Sequence, residues 1–514
     1  MKINIPPHHL ILAAIILIAA VLRVYKLDTI PPGLWPDEAL NGTQALGEPL
    51  KLYYPENNGR EGLIMALDAF SFKILGVSMF AFRLVPAIIG IFTVLGVYLL
   101  AVEIFRKKNI GLMAAFFTAT SFWHINFSRI NFRAIMLPLI LCYSFYFLFL
   151  GWRNKKIWPF IASGVVFGIG FYTYTSFRLA PLILFAWLFI AWLASRKAKA
   201  QKGFAISGAA MLLATFFTAL PIGLYFLLGH MSEFMTRMGG ISVFAQPDPT
   251  FSFIESLLRH LAMFNFYGDP NMRHNYSGDP QLFFPVGILF LIGFWQTLKN
   301  ITNNILQRGW EKLLPGATLL IWFFVMILPG ALTYEGLPHA LRVIGVIPVC
   351  YIFAAYGGDL AYTYLKLRWN KGLLTFLAVI FLAVSGIFPV YRYFFQWAPN
   401  PETRNAFSGN LVAMGEFLKN TPENYQKYVV VYGGDLPVQT VKLIARQNPA
   451  NQAIKYIYPA DIPSIKNNGP TLVLFMANPQ NDLDTLKINN PDGILSSDSE
   501  SGAWVYYINQ NNDK

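Results

Sequence analysis

Charge and cysteine are both scarce in this sequence. Only 13% of its 514 residues are charged, whereas soluble globular domains carry about 25%. Hydrophobic residues make up 55% of the chain, and its mean hydropathy is +0.44. This balance excludes a soluble enzyme, a disordered chain and a coiled coil, and it predicts a polytopic α-helical membrane protein. The two cysteines, Cys142 and Cys350, lie inside apolar runs, so the sequence predicts neither a disulfide framework nor a thiolate metal site.

The net charge of +13 belongs to the apolar part of the chain. From Gln396 onward there are nine Lys or Arg and eleven Asp or Glu, whereas the preceding part carries 31 basic and 16 acidic residues. This location favours membrane topology and anionic lipid, rather than nucleic acid, as the reason for the basic excess.

Hydropathy predicts about eleven membrane spans. They begin near Leu10, Phe80, Ile110, Met136, Ile157, Leu179, Phe204, Leu282, Leu314, Leu341 and Leu373. With a cytoplasmic N-terminus, every second connection is cytoplasmic, and these connections hold sixteen Lys or Arg against one acid, Glu311. The asymmetry predicts a multi-pass protein of the plasma (inner) membrane with its N-terminus inside and its C-terminus outside.

The outward connections include two long loops, residues 28–79 and 230–281. The chain is thus predicted to divide into a membrane core, residues 1–395, and an extracytoplasmic domain, residues 396–514. In that domain, four apolar strand-like segments and one amphipathic helix predict a small α/β fold.

The first outer loop carries acidic residues close to the predicted membrane surface. Asp37 and Glu38 follow the first span by about ten residues, and Glu61 lies beside Arg60 further along. Residues 63–75 are predicted to form a short amphipathic helix in the membrane interface. The alternative is that these acids are ordinary solvated loop charges.

Basic residues occur at the predicted outer ends of several spans, against the usual charge rule. They are Arg129, Arg133, Arg178, His339 and Arg342. Such positions cost free energy unless something anionic pairs with them. Pairing with acids, binding of carbonyls at helix C-termini or snorkelling would explain any single one. As a group they favour phosphate binding, because forked guanidinium groups suit phosphate oxygens.

The second outer loop adds a Pro/Gly-rich segment at residues 267–275. It mixes acidic, basic and imidazole side chains and includes Arg273. Such a segment would suit a loop that closes over a site, and a plain structural turn is the alternative.

With these motifs the sequence resembles the GT-C superfamily of membrane glycosyltransferases, in the bacterial branch similar to protein O-mannosyltransferases and the aminoarabinose transferase of lipid A. The resemblance covers roughly residues 5–395. It rests on Pro36-Asp37-Glu38-Ala39, Gly59-Arg60-Glu61-Gly62, Leu75-Gly76-Val77-Ser78, Arg83-Leu84, Ser128-Arg129, Phe132-Arg133-Ala134 and Pro338-His339-Ala340-Leu341-Arg342. Where the family often has a Pro-Pro stretch in this loop, the present chain has Arg60-Glu61-Gly62.

The resemblance implies two interfacial helices in the first loop and a polyprenyl-phosphate-linked sugar donor. It also implies that a first-loop acid is the catalytic base or orients the acceptor. This role falls on Asp37, with Glu38 second and Glu61 as a further acid. Some relatives need a divalent metal and others do not. Because the sequence shows no His/Asp cluster at ligand spacing, the need for Mg²⁺ or Mn²⁺ stays open.

The favoured function is an inverting transfer of a hexose or pentose from this donor to a hydroxyl of a protein, lipid or glycan acceptor at the outer face. The predicted donor-binding residues are Arg60, Arg129, Arg133, Arg178, Arg273, His339 and Arg342. The main alternative is a lipid-linked glycan translocase or polymerase, which needs outer arginines but not the first-loop acids. A translocase should also carry polar residues at the bilayer midplane, and the predicted spans carry few. A receptor or scaffold is the third class.

Overall fold

The computed structural model describes residues 6–195, 198–234, 241–307, 309–465, 469–498 and 501–509, without the side chains of 198–200 and 480–481. Residues 235–240 of the second long loop, and 196–197 and 308 of two predicted basic connections, lie outside the described residues.

Helices dominate the part of the chain before the tail. They are α1 (Pro7–Val24), α2 (Pro36–Ala45), α3 (Leu63–Leu75), α4 (Met79–Phe105), α5 (Lys108–Thr120), α6 (Phe122–Phe127), α7 (Met136–Asn154), α8 (Ile157–Ile169), α9 (Ala180–Ala194), α10 (Ala198–Leu227), α11 (Pro249–Ala262), α12 (Phe284–Leu306), α13 (Trp310–Ala331), α14 (Ile347–Lys366) and α15 (Lys371–Tyr391). Strands β1 (Tyr53–Tyr54) and β2 (Arg60–Glu61) pair antiparallel between α2 and α3.

Nine helical segments within the described residues are long and apolar enough to cross a membrane. The prediction of a polytopic α-helical membrane protein is therefore confirmed, and the chain is an integral membrane protein. Prolines inside these segments, such as Pro86 in α4 and Pro221 in α10, are tolerated because neighbouring groups in a membrane bundle can satisfy the freed carbonyls.

The predicted count of about eleven spans is not confirmed. The segments expected to begin near Ile110 and Ile157 form α5 and α8, which have 13 residues each. Such helices are about 20 Å long, shorter than the hydrocarbon layer of about 30 Å. Helix α5 ends at Thr120 because Ser121 is extended, and the Ser121 hydroxyl then accepts the His124 N–H, at 3.2 Å, to begin α6.

Small residues allow close helix packing in the membrane part. A Cβ on Gly293 of α12 would lie 2.0 Å from the Phe353 carbonyl oxygen of α14, and one on Gly357 of α14 would lie 2.0 Å from the Leu289 carbonyl oxygen of α12. The two glycines thus let the backbones approach from both sides, as small residues do in membrane helix pairs.

The chain divides into two compact units. The first consists of Met1–Tyr25, Lys51–Ile64 and Pro86–Trp397, and the second of Lys26–Leu50, Met65–Val85 and Ala398–Lys514. The second unit thus combines two parts of the first long loop with the tail. The division into residues 1–395 and 396–514 stays a prediction about domains.

The tail has a five-stranded sheet with helices on both faces. Its elements are α16 (Pro401–Ala406), α17 (Gly409–Asn420), β3 (Gln426–Val430), α18 (Val438–Ala445), β4 (Lys455–Ile457), β5 (Thr471–Phe475), α19 (Gln480–Asn489), β6 (Ile494–Ser497) and β7 (Trp504–Ile508). The strand order is β4-β3-β5-β7-β6. Strand β3 runs parallel to β4 and β5, whereas β7 is antiparallel to β5 and β6. The predicted small α/β domain is confirmed, although the prediction lacked the strand β6 and the helices α16, α17 and α19.

Side chains of β3 alternate between two apolar cores, as the period of a strand requires. Val429 joins a core built with α17 and α18, whereas Tyr428 and Val430 join a second core that includes Leu483 and Leu486 of α19. Burial on both faces is typical of a central parallel strand.

Helix α2, which carries Asp37 and Glu38, packs on the tail helix α18 within the second unit. The Leu34 N–H donates to the Phe407 carbonyl at 2.8 Å, and the Leu34 carbonyl accepts the Thr440 hydroxyl at 3.1 Å. The Thr43 hydroxyl donates to Oε1 of Gln439 at 2.7 Å. The tail therefore holds the helix that bears the predicted catalytic acid.

Arg83 fixes the chain segment that leads into α2. Its side chain is fully buried, and its guanidinium donates to the carbonyls of Leu27, Pro31 and Gly33. Three carbonyl partners satisfy a buried cation that would otherwise be costly. The Arg83-Leu84 motif noted in the sequence thus has a structural role.

We expect Gly42→Ala to destabilise the packing of α2 on α18. The added Cβ would lie 2.4 Å from Cδ2 of Leu443, which is buried and cannot move freely. Overpacking of this kind costs about 1–3 kcal/mol, so the thermal unfolding midpoint of the purified protein should fall. Gly203→Ala is the control, because nothing lies within 4 Å of a Cβ there. Equal midpoints for the two variants would contradict the packing.

Candidate active site

A tight hairpin in the first loop positions Glu61. Tyr53 of β1 lies opposite Glu61 of β2. The intervening turn has positive φ at Asn57, Asn58 and Gly59, of 52°, 64° and 81°, a region that Asn and Gly adopt most readily. A Cβ on Gly59 would lie 1.8 Å from the Tyr53 hydroxyl oxygen, so only glycine fits at that position.

Glu61 bridges two arginines of the first unit. Its Oε2 lies 2.9 Å from Nε of Arg133, and its Oε1 lies 3.6 Å from Nη2 of Arg178. Glu61 is 2% exposed and Arg133 is 7% exposed, and buried charges require such pairing. Taken together, the three groups carry one excess positive charge, which suits an anionic ligand.

Each of these guanidinium groups is also held by a carbonyl and an aromatic ring. Arg133 donates to the Gly59 carbonyl at 3.1 Å and lies 5.5 Å from the Tyr174 ring centre. Arg178 donates to the Phe234 carbonyl at 2.6 Å and lies 3.9 Å from the Phe234 ring centre. The two forks are thereby pre-organised on one carboxylate, which is the geometry that favours recognition of phosphate oxygens.

Two other predicted donor-binding residues make local contacts. The buried Arg60 donates from Nε to the Glu56 carbonyl of its own turn, at 3.4 Å. Arg273 donates from Nε to Oδ1 of Asn271 at 3.4 Å, and its carbonyl accepts the Asn126 amide at 2.7 Å. Their roles in donor binding stay predictions.

Arg129 binds the C-terminal end of α1. It donates to the carbonyls of Leu22 and Tyr25, at 2.9 and 2.8 Å, and its guanidinium lies 5.2 Å from the Phe394 ring centre. A cation at a helix C-terminus satisfies the last carbonyls and the helix dipole. These contacts match the helix-end alternative that the sequence left open for this group of arginines.

Arg342 closes the turn that precedes α14. It donates to the Thr333 hydroxyl at 2.7 Å and to the Glu335 carbonyl at 3.0 Å, and it pairs with Oε2 of Glu335 at 2.6 Å. The Glu335 side chain is 64% exposed, so a ligand anion can compete for this guanidinium more readily than for one with a buried partner.

Asp269, His274 and His339 form a cluster between the second long loop and the turn after α13, in which Asp269 and His274 are buried and His339 is partly exposed. Oδ2 of Asp269 accepts His274 Nδ1 at 2.9 Å and the Ala340 N–H at 2.7 Å. The rings of His274 and His339 have their centres 4.8 Å apart. This cluster has no signal in the sequence, because 65 positions separate the two histidines and only the fold brings them together.

The cluster could hold a divalent cation. One ligand atom from each of its three residues lies within 4.8 Å of the others. Two imidazoles favour Zn²⁺-like ions, whereas Mg²⁺ prefers an all-oxygen site. Because Asp269 already binds His274 Nδ1, its carboxylate also fits the role of orienting that ring.

His260 of α11 fixes the backbone of His339. Its Nδ1 lies 2.7 Å from the Ser256 carbonyl, and its Nε2 lies 3.1 Å from the His339 backbone nitrogen. The second contact needs an unprotonated Nε2, since the His339 N–H is the donor. Burial lowers the pKa of His260 to about 4, although the Ser256 carbonyl opposes the shift, so the ring is neutral at pH 7.

The two adjacent acids of the second unit differ in their surroundings. Both lie in the first turn of α2, where the helix dipole favours carboxylates. Glu38 is fully buried, and its Oε1 accepts the Trp35 N–H at 3.4 Å. Asp37 is partly exposed. Glu38 therefore caps its own helix, whereas Asp37 is the acid that a solvent-borne hydroxyl can reach.

A protein-family model matches part of the chain. The model for the family described as dolichyl-phosphate-mannose-protein mannosyltransferase matches residues 63–222. Among curated proteins, no sequence matches this chain.

Solved structures match nearly the whole chain. ArnT from Cupriavidus metallidurans in the apo state has a TM-score of 0.61 and 12% identity, with 98% of each chain covered. ArnT bound to undecaprenyl phosphate has a TM-score of 0.58 and 13% identity over the same shares. The Archaeoglobus fulgidus oligosaccharyltransferase AglB, in complex with an inhibitory peptide and a dolichol-phosphate, has a TM-score of 0.50 and 14% identity, with 99% of this chain and 74% of AglB covered. The chain has the GT-C fold, and its resemblance to the GT-C superfamily of glycosyltransferases is confirmed.

We expect His260 to make the protein less stable in acid. Its pKa of about 4 lies below the ordinary 6.5. The contribution of the neutral ring to the free energy of unfolding is therefore fully present above pH 6.5 and is lost as the pH falls towards 4. The loss is at most about 3 kcal/mol. Thermal melts of wild type and His260→Gln between pH 7 and pH 4 check this.

The wild-type midpoint should fall further than that of His260→Gln, whose side chain does not titrate. His9→Gln, at an exposed position of α1, is the matched control and should follow wild type. Parallel curves for wild type and His260→Gln would contradict the assignment of a neutral ring.

Proposed function

We propose that this GT-C-type protein transfers a sugar from a polyprenyl-phosphate-linked donor to an acceptor hydroxyl at the outer face of the membrane, with inversion and with Asp37 as the base. The observation that carries the proposal is the pair of acids at the start of α2. Glu38 is buried and caps the helix, whereas Asp37 is partly exposed on the same helix.

The class of donor is supported by the fold neighbours. ArnT is described with undecaprenyl phosphate and AglB with a dolichol-phosphate, and the matching family model names a dolichyl-phosphate-linked mannose. All three carriers are polyprenyl phosphates. The family model names mannose, whereas AglB is an oligosaccharyltransferase, so the proposal names only the carrier.

Two arginines that share one carboxylate are proposed to bind the leaving phosphate. Arg133 and Arg178 share Glu61 and are fixed by carbonyls and rings. Negative charge on the phosphate grows as the sugar–phosphate bond breaks, so positive groups pre-organised for that oxygen stabilise the transition state more than the ground state. Glu61 then orients the guanidinium groups instead of accepting a proton.

The proposed step is a single displacement. The acceptor O–H gives its proton to the Asp37 carboxylate, and the acceptor oxygen forms a bond to the anomeric carbon. The bond from that carbon to the phosphate oxygen breaks, and polyprenyl phosphate leaves with the electron pair. Attack opposite to the leaving group inverts the anomeric configuration, and a base positioned for the hydroxyl contributes about 10²–10⁴-fold.

A divalent cation is compatible with this step but is not assigned a part in it. Asp269, His274 and His339 would hold the ion, which would supply additional positive charge for phosphate oxygens. The need for a metal stays open, and titration of the purified protein with Zn²⁺, Mn²⁺ and Mg²⁺ tests it.

We expect Asp37→Asn to lower the turnover number by at least 10²-fold while leaving donor binding within about twofold of wild type. An amide keeps the size of the side chain but cannot accept the acceptor's proton. The measurement is release of polyprenyl phosphate from a radiolabelled donor, beside equilibrium binding of the same donor.

Glu48→Gln is the matched control, because Glu48 is an exposed acid shortly after α2 in the same unit. It should retain wild-type turnover. Lost donor binding with normal turnover of the bound donor would contradict Asp37 as base. Donor binding without release by wild type, with any sugar, would favour the translocase.

Arg178→Gln should weaken donor binding by about tenfold or more, because a charged hydrogen bond to phosphate contributes about 1.5–3 kcal/mol. Arg259→Gln is the control, since Arg259 is half exposed and pairs with Glu255, four residues earlier in the same helix. Donor affinity equal to wild type for Arg178→Gln, in a variant with an unchanged melting midpoint, would remove this arginine from the phosphate site.

A further inference from the structure

A cavity of about 250 Å³ lies where the ends of four apolar helices meet in the first unit. Its wall includes Phe117 near the end of α5, Val286 near the start of α12, Tyr351 near the start of α14 and Phe388 near the end of α15. The charge pattern predicts all four of these ends to face outward. The volume is far above the roughly 10–15 Å³ that a single water needs.

The cavity has an apolar mouth. Phe284, at the first turn of α12, is 67% exposed, and Phe388 of α15 is 39% exposed. The two phenylalanines belong to helices that are long and apolar enough to cross a membrane, so we expect their exposed rings to contact lipid chains. A ligand that enters here is therefore in contact with the bilayer.

The inner wall of the cavity carries polar groups without partners. Among the described residues, the side-chain nitrogen and oxygen of Gln281 have no hydrogen-bond partner, and the Ser385 hydroxyl has none either. Gln281 is 4% exposed and Ser385 is 2% exposed. A buried polar group left in this state costs about 1–3 kcal/mol. A ligand with donor and acceptor oxygens would recover that free energy.

One side of the cavity presents a cation, an anion and an aromatic face. Nη2 of Arg392 pairs with Oδ2 of Asp279, and both side chains are about a quarter exposed, at 27% and 28%. The Arg392 guanidinium also lies 4.7 Å from the Tyr276 ring centre. Burial raises the pKa of the Asp279 carboxyl, and Arg392 opposes that shift.

We propose that this cavity binds the head group of a zwitterionic phospholipid of the outer leaflet, with its acyl chains leaving past Phe284 and Phe388. Arg392 binds a phosphate oxygen, and Asp279 with the Tyr276 ring binds the ammonium group. The Gln281 amide and the Ser385 hydroxyl line the same cavity and supply donors and acceptors for oxygens of the lipid. The proposal does not depend on the transferase function.

The acid in the wall argues for a zwitterion over an anion. A phosphate without an ammonium group would bring a second negative charge beside Asp279 in a site of low dielectric constant, where like charges repel strongly. Phosphatidylglycerol and polyprenyl phosphate are ligands of this second kind. A zwitterion replaces the single Arg392–Asp279 ion pair by two ion pairs, one between Arg392 and the phosphate and one between Asp279 and the ammonium group.

The test uses the full-length protein in neutral detergent. Phosphatidylethanolamine, phosphatidylglycerol and polyprenyl phosphate are titrated separately, and bound lipid is measured by native mass spectrometry. We expect phosphatidylethanolamine to half-saturate one site at a concentration at least tenfold below that of phosphatidylglycerol. Equal affinities, or a preference for either anionic lipid at the site defined by the variants below, would overturn the proposal.

Two variants tie the binding to this cavity. Asp279→Asn should reduce the preference for phosphatidylethanolamine to less than threefold, whereas the exposed control Asp492→Asn should leave it unchanged. Because Asp279→Asn also removes a partner of Arg392, Gln281→Leu is the second variant. It removes buried amide atoms without partners, so it should keep or raise the melting midpoint in lipid-free detergent and still weaken lipid binding several-fold.

This opposite movement of stability and affinity is a readout that a purely structural glutamine would not produce. If phosphatidylethanolamine binds Asp279→Asn and Gln281→Leu as it binds wild type, the cavity holds water only and the lipid site lies elsewhere. That outcome would refute the proposal.

Discussion

The cost of burying a guanidinium group determines much of this structure. Arg23, Arg83 and Arg129 are fully buried, and each binds backbone carbonyls, because a buried cation without oxygen partners is strongly unfavourable. Arg129 thereby binds the end of α1, and Arg83 holds the segment before α2. Arg133 and Arg178 differ, because their shared partner is a carboxylate, Glu61. The same physical requirement thus separates arginines that hold the fold from the two that are best suited to an anionic substrate.

The tail is part of a compact unit that also contains earlier segments of the chain. By sequence position, residues 396–514 are a separate C-terminal domain, whereas in the structure Ala398–Lys514 form one unit with Lys26–Leu50 and Met65–Val85. Gln439 of the tail binds Thr43 of α2, and Thr440 binds the Leu34 carbonyl just before the helix. The segment that leads into α2 is also held by Arg83. Asp37 therefore projects from a helix braced on two sides. The proposed base would have to keep its geometry through many turnovers, and packed elements provide rigid support of this kind.

Features with a local or periodic signal could be predicted from the sequence. The helix expected at residues 63–75 is α3, Leu63–Leu75, and the membrane class and the small α/β tail also follow from composition and alternation. Features made by tertiary contacts could not. Ser121 interrupts an apolar run by a single extended residue, so α5 stops short of a full span. Asp269, His274 and His339 meet only in the fold, and the partners that distinguish Arg129 from Arg133 are equally remote along the chain. Residue type is enough to name candidate residues, whereas the partners of each residue are visible only in the folded chain.

The measurement that tests the central claim most directly is the anomeric configuration of the product. The purified full-length protein is incubated with a polyprenyl-phosphate-linked sugar of known anomer and an acceptor mixture, and the glycosylated product and the freed carrier are analysed by NMR and mass spectrometry. Single displacement predicts one inverted glycosidic bond for each polyprenyl phosphate released. A retained configuration would contradict the single-displacement step. Movement of an intact lipid-linked sugar across the membrane, without cleavage of the sugar–phosphate bond, would contradict the transferase itself.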